Sequence, residues 1–299
     1  MIRIRVPATS ANMGPGFDCL GMAIDMYNVI EAEEIDKGLE IIVPEAERKY
    51  IPTDESNLVY ASMKYIFDLL GIYPRGVRLN LKSDIPVTRG LGSSAACIVG
   101  GIAAANLMSG GKLSKDELIR IAAKIDGHPD NVLPAIVGGM TVACMDEEKV
   151  VYVRISPPRN LRLAVMIPEF QLPTSKAREI LPQKVPIQDA VFNISRAALM
   201  TASMLTGQLD HLMTAVEDRL HQPYRQSLIP HWDEMLEGAK KFGAKGVFLS
   251  GAGPTIIAII DESNVEFQEN MLSYTSSFKE NWDIRIVDFC ESGMESQIL

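Results

Sequence analysis

Apolar and polar residues alternate at the start of the chain with the two-residue period of a β-strand. Ile2, Ile4 and Val6 alternate there with Arg3 and Arg5, which predicts a strand with one buried face. Further alternating or continuously apolar runs predict strands at residues 28–35, 39–43, 77–81, 150–155, 161–167, 247–250, 256–260 and, as the last strand, 284–287.

Other segments place apolar residues three or four positions apart, as helices do. Residues 57–70 predict a helix that ends at Gly71. Ser114 and Glu117 have the spacing of a capping box, which predicts a second helix to about Ile125. Further helices are predicted at residues 95–105, 190–205 and 227–242, and the predicted core of the first helix is Leu58, Ala61, Ile66, Leu69 and Leu70.

Strands and helices are interspersed in both halves of the chain, which predicts an α+β fold with two domains. The strongest break in regular structure is Ser156-Pro157-Pro158. We therefore predict an N-terminal domain over residues 1–156 and a C-terminal domain over residues 157–299.

Composition narrows the class of protein. The 299 residues are 47% hydrophobic and 22% charged, as in folded globular proteins, and the net charge of −9 argues against a nucleic-acid partner. Four cysteines without a Cys-x-x-Cys pair and only four histidines argue against a zinc site or a disulfide framework. The N-terminus lacks the apolar core of a signal peptide, and the longest apolar run, residues 97–108, is too short to span a bilayer. We expect a cytoplasmic protein without a membrane partner.

Residues 86–96, which read Pro-Val-Thr-Arg-Gly-Leu-Gly-Ser-Ser-Ala-Ala, predict a phosphate-binding turn. Gly90 and Gly92 allow positive φ and a close approach to an anion. Ser93 and Ser94 suit the start of a helix, where free N–H groups and the helix dipole favour phosphate. The alternative is an ordinary glycine-rich loop before a core helix. The segment fits neither the Walker A pattern, because it has no Lys, nor the dinucleotide pattern Gly-x-Gly-x-x-Gly.

Two other glycine-bearing segments, residues 7–18 and 249–255, complete a set of three with the loop at 86–96. Together they resemble the three motifs of the GHMP kinase superfamily, and the first is similar to that of the homoserine kinases within it. Residues 127–134 and 174–182 resemble the same subfamily. The resemblance runs from about Ile2 to Val287.

This resemblance implies transfer of phosphate from ATP, with Mg²⁺, to the side-chain hydroxyl of L-homoserine, a step of threonine biosynthesis. It implies an N-terminal domain like domain 2 of ribosomal protein S5, a ferredoxin-like C-terminal domain and an active site between them. It leaves a homodimer open.

The resemblance also assigns the nucleotide and metal residues. Ser94 matches a serine that ligates Mg²⁺, whereas Asp126 stands where the family glutamate is missing, and a surface position is its alternative. Asn57 matches a position near the adenine or ribose, with a helix N-cap as the alternative. The nucleotide-binding residues are Asn57, Pro86, Val87, Thr88, Arg89, Gly90, Leu91, Gly92, Ser93, Ser94, Ala95 and Ala96.

For the acceptor, the resemblance implies that Asp18 binds the amino group and that Arg178 and Arg225 bind the carboxylate. The substrate-binding residues are Asn12, Asp18, His128, Asn131, Arg178 and Arg225, and the catalytic residues are Asp18, Asn131 and Thr174. Turn-forming roles are the alternatives for the residues of the first motif, and a solvated surface charge is the alternative for Arg225.

Asn131 stands where mevalonate kinase-like relatives have a catalytic Asp, so we expect no dedicated protein base. Two rival functions are a GHMP kinase for another small alcohol, such as mevalonate or shikimate, and a non-catalytic ligand-binding protein on the same fold.

Overall fold

The computed structural model describes residues 1–299, with the side chain of residue 46 outside the description. The strands are β1 (Ile2–Ala11), β2 (Leu20–Glu34), β3 (Gly38–Ile42), β4 (Gly76–Ser83), β5 (Met140–Asp146), β6 (Lys149–Ile155), β7 (Leu161–Pro168), β8 (Gly246–Leu249), β9 (Ile256–Asp261), β10 (Trp282–Val287) and β11 (Glu295–Ile298). The helices are α1 (Leu58–Leu70), α2 (Ser93–Met108), α3 (Lys115–Asp126), α4 (Pro129–Val137), α5 (Thr174–Glu179), α6 (Ile187–Thr206), α7 (Leu212–Ala215), α8 (Gln222–Arg225), α9 (Trp232–Lys241) and α10 (Phe267–Thr275).

The first sheet contains seven strands. Five of them lie in the order β11-β1-β2-β4-β3, while β5 pairs with the first residues of β2 and β6 pairs with β5. All its pairs are antiparallel except β3 with β4. Helices α1, α2 and α4 pack against each other or against this sheet. The small residues of α2 permit close packing, because a Cβ on Gly101 would lie 2.4 Å from the carbonyl oxygen of Val59 in α1.

The second sheet has four antiparallel strands in the order β10-β7-β9-β8. This is the strand order 4-1-3-2 of a ferredoxin-like fold, with α5–α9 between its first two strands and α10 before its last. A separate apolar core beneath it contains Trp232, Met235, Phe267 and Met271.

Most predicted elements are confirmed, and so is the α+β fold class. Ser114 and Glu117 form a complete capping box at α3, and Gly71 ends α1 in the left-handed conformation. The chain passes from the first sheet to the second between β6 and β7, at the predicted break, but β11 returns to the first sheet. The domain division at 156/157 stays a prediction.

Several details of the sequence prediction are wrong. Leu58, Ala61 and Leu69 are exposed, because α1 buries the neighbouring face that carries Val59, Ser62, Met63, Ile66 and Phe67. The helix predicted from residue 227 begins at Trp232. The segment 284–287 forms β10 and is not the last strand, since β11 follows it. The elements that were not predicted are β5, α4, α5, α7, α8, α10 and β11.

No helix within the described residues is long and apolar enough to cross a membrane.

Candidate active site

The phosphate-binding turn lies between β4 and α2, and two glycines fix its path. Gly90 and Gly92 have φ angles of 76° and 66°, a region that side chains other than glycine rarely adopt. A Cβ on Gly90 would lie 2.4 Å from the Ser250 carbonyl oxygen, and one on Gly92 would lie 1.9 Å from Thr9 Oγ1. The turn therefore packs directly against β1 and the third glycine segment.

Helix α2 begins without a side-chain cap. Its N-cap residue is Gly92, and no side chain in the described structure accepts from the first-turn N–H groups. Ser93 and Ser94 are the first two helical residues rather than the cap. Because the first N–H groups of a helix have no intrahelical partner and carry the positive end of its dipole, this helix start is suited to an anion.

The turn and helix start line a cavity of about 550 Å³. Three of the predicted nucleotide residues lie outside this lining: Pro86, Leu91 and Ala96. Leu91 and Ala96 are instead buried in the core, because they form the inner side of the turn and helix. The remaining predicted residues of the segment line the cavity, namely Val87, Thr88, Arg89, Gly90, Gly92, Ser93, Ser94 and Ala95.

The polar groups of Arg89 and Asn57 form hydrogen bonds with the backbone around the cavity. Arg89 donates to the carbonyl oxygens of Pro168 (3.0 Å), Val87 (3.2 Å) and Glu169, so it ties the turn to the end of β7. Asn57 is the N-cap of α1: its Oδ1 accepts from the N–H of Val59 at 3.0 Å. The N-cap alternative for Asn57 is thus realised, although the residue also lines the cavity.

A cluster of charged residues also lines the cavity. Asp18 accepts from Arg178 Nη2 at 2.9 Å and from Nη1 at 3.3 Å, and His128 Nε2 lies 3.4 Å from its Oδ2. Asp18 has a φ of 53°, and its backbone N–H donates to Asn12 Oδ1 at 3.0 Å. Burial lowers the pKa of His128, with Asp18 opposing the shift, so the imidazole is neutral at pH 7.

Arg225 is the most deeply buried charge of the site, 1% exposed. Its Nε donates to the Ala177 carbonyl and its Nη1 to the Gly251 carbonyl, both at 3.0 Å. It forms no salt bridge with any described residue, yet it lines the cavity. Burial, followed by repulsion from Arg178, lowers its pKa to about 10, which leaves it charged at pH 7. An unpaired buried guanidinium of this kind favours a carboxylate ligand.

Two more of the predicted catalytic residues, Asn131 and Thr174, line the cavity. Asn131 lies in α4, and its Oδ1 accepts from Thr9 Oγ1 at 2.9 Å. Thr174 begins α5, is exposed to the cavity and has no side-chain hydrogen bond to a described residue. Thr174 therefore has a hydroxyl, and Asn131 an amide group, available to a ligand.

Two further carboxylates, those of Asp126 and Asp130, line the cavity, and neither accepts a hydrogen bond from another described residue. Burial raises the pKa of Asp126 to about 6. Burial also raises the pKa of Asp130 to about 7, and repulsion from Asp18 and Asp126 adds to the shift. Asp130 was missed at the sequence level, because the residues around it gave it no distinct chemical signal.

No group of three or more described acidic, His or Cys side chains could hold a metal by itself. Mg²⁺ bound with a nucleotide needs fewer protein ligands, because phosphate oxygens and water complete its shell. The Ser94 hydroxyl and the Asp126 carboxylate are hard oxygen donors on the same cavity. This donor set fits such an ion.

Comparisons with known proteins place this fold and site in a class. The sequence pattern of the GHMP kinases N terminal domain matches residues 57–139, and that of the GHMP kinases C terminal domain matches residues 199–275. The homoserine kinase of Petrotoga mobilis is 50% identical over 295 residues, covering 99% of this chain and 96% of that protein. That of Caldicellulosiruptor saccharolyticus is 53% identical, covering 98% and 96%.

A solved structure agrees with these sequence matches. The crystal structure of homoserine kinase from Cytophaga hutchinsonii superposes with a TM-score of 0.87 at 27% identity, covering 99% of this chain and 97% of that one. The chain is a kinase of the GHMP class, which transfers phosphate to an alcohol. Within that class it belongs to the homoserine kinase family.

Proposed function

We propose that the protein catalyses Mg²⁺-dependent phosphorylation of the L-homoserine side-chain hydroxyl by ATP, giving O-phospho-L-homoserine for threonine biosynthesis in the cytoplasm. The observation that carries this proposal is the polarity of one cavity. The same cavity is lined by an uncapped helix start and by a buried guanidinium without an acidic partner. A triphosphate matches the helix start, and an α-carboxylate matches the guanidinium.

The Asp18–Arg178 pair gives the acceptor end both signs of charge that an amino acid requires. The Asp18 carboxylate would turn to the substrate ammonium, and Arg178 would join Arg225 in binding the carboxylate. The ammonium and the carboxylate of an amino acid would then each have a partner of opposite charge. Mevalonate has no ammonium, so it could not take the place of Arg178 as the partner of Asp18. This difference favours an amino-acid acceptor over other alcohols.

The chemical step rests on positioning and on neutralising charge. The N–H groups of the α2 start hold phosphate oxygens, while Asn131 and Thr174 orient the acceptor hydroxyl. His128, which is neutral, can accept or donate a hydrogen bond beside Asp18. The hydroxyl proton passes to a phosphate oxygen or to water.

Ser94 and Asp126 would hold Mg²⁺, which when bound neutralises charge on the phosphates. Asp126→Asn should raise the Mg²⁺ concentration needed for half-maximal activity by about tenfold, since a neutral amide is a poorer ligand for a hard cation. Titration of activity with Mg²⁺ at fixed ATP measures this shift. Asp210→Asn, an exposed acid outside the cavity, is the matched control, and an unchanged requirement in Asp126→Asn would remove Asp126 from the metal site.

The test of the function is ADP release with Mg²⁺-ATP against a panel of L-homoserine, mevalonate, shikimate and L-serine. Turnover selective for L-homoserine supports the proposal. Turnover with another acceptor would keep the phosphate end and discard the roles of Asp18, Arg178 and Arg225. Absence of turnover with all four would favour an untested acceptor or a non-catalytic protein.

We also propose that two copies of the chain pair through α6. The exposed face of this helix carries Ile187, Val191, Ile194 and Leu205, each 58–69% exposed, at spacings of four, three and eleven residues. The charged residues of α6, Asp189 and Arg196, are paired instead with Arg219 and Glu217. A long apolar face without charge is typical of a protein interface. If α6 of a second copy packed antiparallel to it, the first part of each helix would contact the last part of the other.

A further inference from the structure

His221 is a fully buried histidine that the proposed chemistry does not use. It begins the segment His-Gln-Pro-Tyr-Arg that ends at Arg225. Its Nδ1 lies 3.2 Å from Arg225 Nη1, and its Nε2 lies 2.7 Å from the Gly14 carbonyl oxygen. His221 therefore connects Arg225 to Gly14 of the first glycine segment.

These two contacts determine where the imidazole carries its proton. A guanidinium can only donate, so Nδ1 must accept from Arg225 through its lone pair. Nε2 faces two acceptors, the Gly14 carbonyl and, at 3.5 Å, Asp218 Oδ2, so Nε2 carries the hydrogen. Burial lowers the pKa of His221; Asp218 opposes this shift and repulsion from Arg225 adds to it, and the lowered pKa agrees with a neutral ring.

The surroundings of His221 fix its orientation. Asp218 accepts from the backbone N–H groups of Leu220 (2.8 Å), His221 (2.9 Å) and Gln222 (2.6 Å), so the turn before α8 is rigid. The Phe17 ring stacks on the imidazole with centroids 5.4 Å apart. The ring thus has one stable position.

The hydrogen bonds of Arg225 account for three of its five N–H groups. Nε donates to the Ala177 carbonyl, and Nη1 donates to the Gly251 carbonyl and to His221 Nδ1. Nη2 has no acceptor in the described structure. It is not among the fully buried atoms, and Arg225 lines the cavity. The three bonds that are made decide the direction of the two that remain.

We propose that His221, as the neutral Nε2–H tautomer, is a positioning residue that aims Nη2 of Arg225 at the substrate carboxylate. This inference deepens the proposed function and rests on it. Without the Nδ1 acceptor, the guanidinium keeps its charge and its two carbonyl partners, but one Nη1 N–H loses its acceptor and the group is held less firmly in the direction of the carboxylate. The loss then falls on binding of the carboxylate and not on phosphate transfer.

A matched pair of variants separates this role from simple packing. In His221→Asn the amide oxygen takes about the place of Nδ1, so an acceptor for Arg225 remains. In His221→Gln the amide nitrogen takes about the place of Nε2, so the donor to Gly14 remains and the acceptor is lost. We expect His221→Gln to raise the KM for L-homoserine about tenfold with kcat and the KM for ATP nearly unchanged. His221→Asn should stay within about threefold of the parent.

A substrate without the carboxylate, 3-aminopropan-1-ol, tests the direction of the effect. His221→Gln should leave its kcat/KM unchanged, so the preference for L-homoserine over this analogue narrows about tenfold. Equal losses in both variants, or an equal loss for both substrates, would assign His221 a packing role and overturn the proposal.

Nitrogen NMR of histidine-labelled protein tests the tautomer without any activity measurement. The His221 signals, identified among four histidines by their absence in His221→Gln, should show a protonated Nε2 and an unprotonated Nδ1 at pH 7. A proton on Nδ1 would overturn the proposal. If the parent does not phosphorylate L-homoserine, the proposed function fails, whereas this spectrum still decides whether Nδ1 is an acceptor.

Discussion

At the scale of single residues, the site is built from charges that are buried or half-buried and incompletely paired. Arg225 has carbonyl and imidazole partners but no acid, and the Asp130 carboxylate forms no salt bridge and accepts no hydrogen bond from another described residue. Such groups lower the stability of the empty protein. Ligands of opposite charge recover this free energy, which makes the cavity selective for them.

Asp130 should make stability depend on pH. Its folded pKa of about 7 is raised above the ordinary value of 3.8, so the unfolded chain loses its proton first and stability falls as pH rises from about 4 to about 7. Asp130→Asn lacks this pH dependence. The difference in the free energy of unfolding between variant and parent should therefore shift in favour of the variant by on the order of 2 kcal/mol from pH 5.5 to pH 8.

Urea unfolding of both proteins at the two pH values measures this gain, with the exposed Asp210→Asn as control. A gain independent of pH would show that Asp130 is ionised throughout and is compensated in the folded protein.

Asp18 tests whether a protein base is needed. We expect Asp18→Asn to raise the KM for L-homoserine by about tenfold or more, because a charge-assisted contact to the ammonium is lost. Turnover at saturating substrate should remain near that of the parent. Steady-state kinetics over a wide range of L-homoserine gives both constants, and a collapse of kcat would instead identify Asp18 as the base.

At the scale of elements, sequence patterns predicted the long amphipathic helices and strands correctly. They did not predict elements that are almost wholly buried or wholly exposed. The Ser114 capping box and the alternation in β1 each indicate one conformation. Helix α4 was missed because its two prolines, at 129 and 134, signal a break, although Pro129 occupies the permissive first turn. Strand β11 was missed because all four of its residues are exposed.

The same limit applies to the site. The three glycine segments could be found from the sequence, because their residue types are unusual. The roles of Asp130, Phe17 and His221 depend on contacts between residues distant in the chain, and no local pattern records them. The exposed or buried state of Leu58 and Leu69 likewise depends on which side of α1 meets α2.

Gly101 shows how packing outweighs helix propensity. By propensity alone, Gly101→Ala should stabilise α2 by about 1 kcal/mol. A Cβ there would lie 2.4 Å from the Val59 backbone oxygen of α1, so the two helices must separate. We expect a net destabilisation of about 1–3 kcal/mol, measured by urea unfolding.

The control for this variant is Gly238→Ala in α9, where a Cβ would meet the Tyr274 ring at 2.7 Å. A side chain can move where a backbone cannot, so this control should lose less stability than Gly101→Ala. Equal losses would show that the contact between α1 and α2 is not the limiting one.

At the scale of the whole molecule, the two sheets share one large apolar core, and a second core lies on the other face of the four-stranded sheet. Residues from both sides of the 156/157 break line the cavity, Asn12 and Asp18 from one side and Arg178 and Arg225 from the other. The Gly251 carbonyl accepts from both Asn12 and Arg225 at 3.0 Å. The site therefore depends on the relative placement of the two halves.

The apolar face of α6 predicts association at this same scale. Ile194→Asp should convert a dimer into a monomer, because the interface would bury an unpaired charge. Sedimentation equilibrium at micromolar concentration measures the mass. Val265→Asp, at an apolar residue 84% exposed outside α6, is the control and should leave the mass unchanged; a monomeric parent would contradict the pairing.

Strand β11 has a consequence for the order in which the chain is connected. It pairs with β1, and the Leu299 N–H donates to the Met1 carbonyl at 2.9 Å, so the two described ends are neighbours. Joining them with a short linker and opening the chain between β6 and β7 would make each sheet continuous in sequence. Such a circular permutant would have β7–β10 first and then β11 followed by β1–β6, so that a single cut between β10 and β11 would divide the chain into its two sheets.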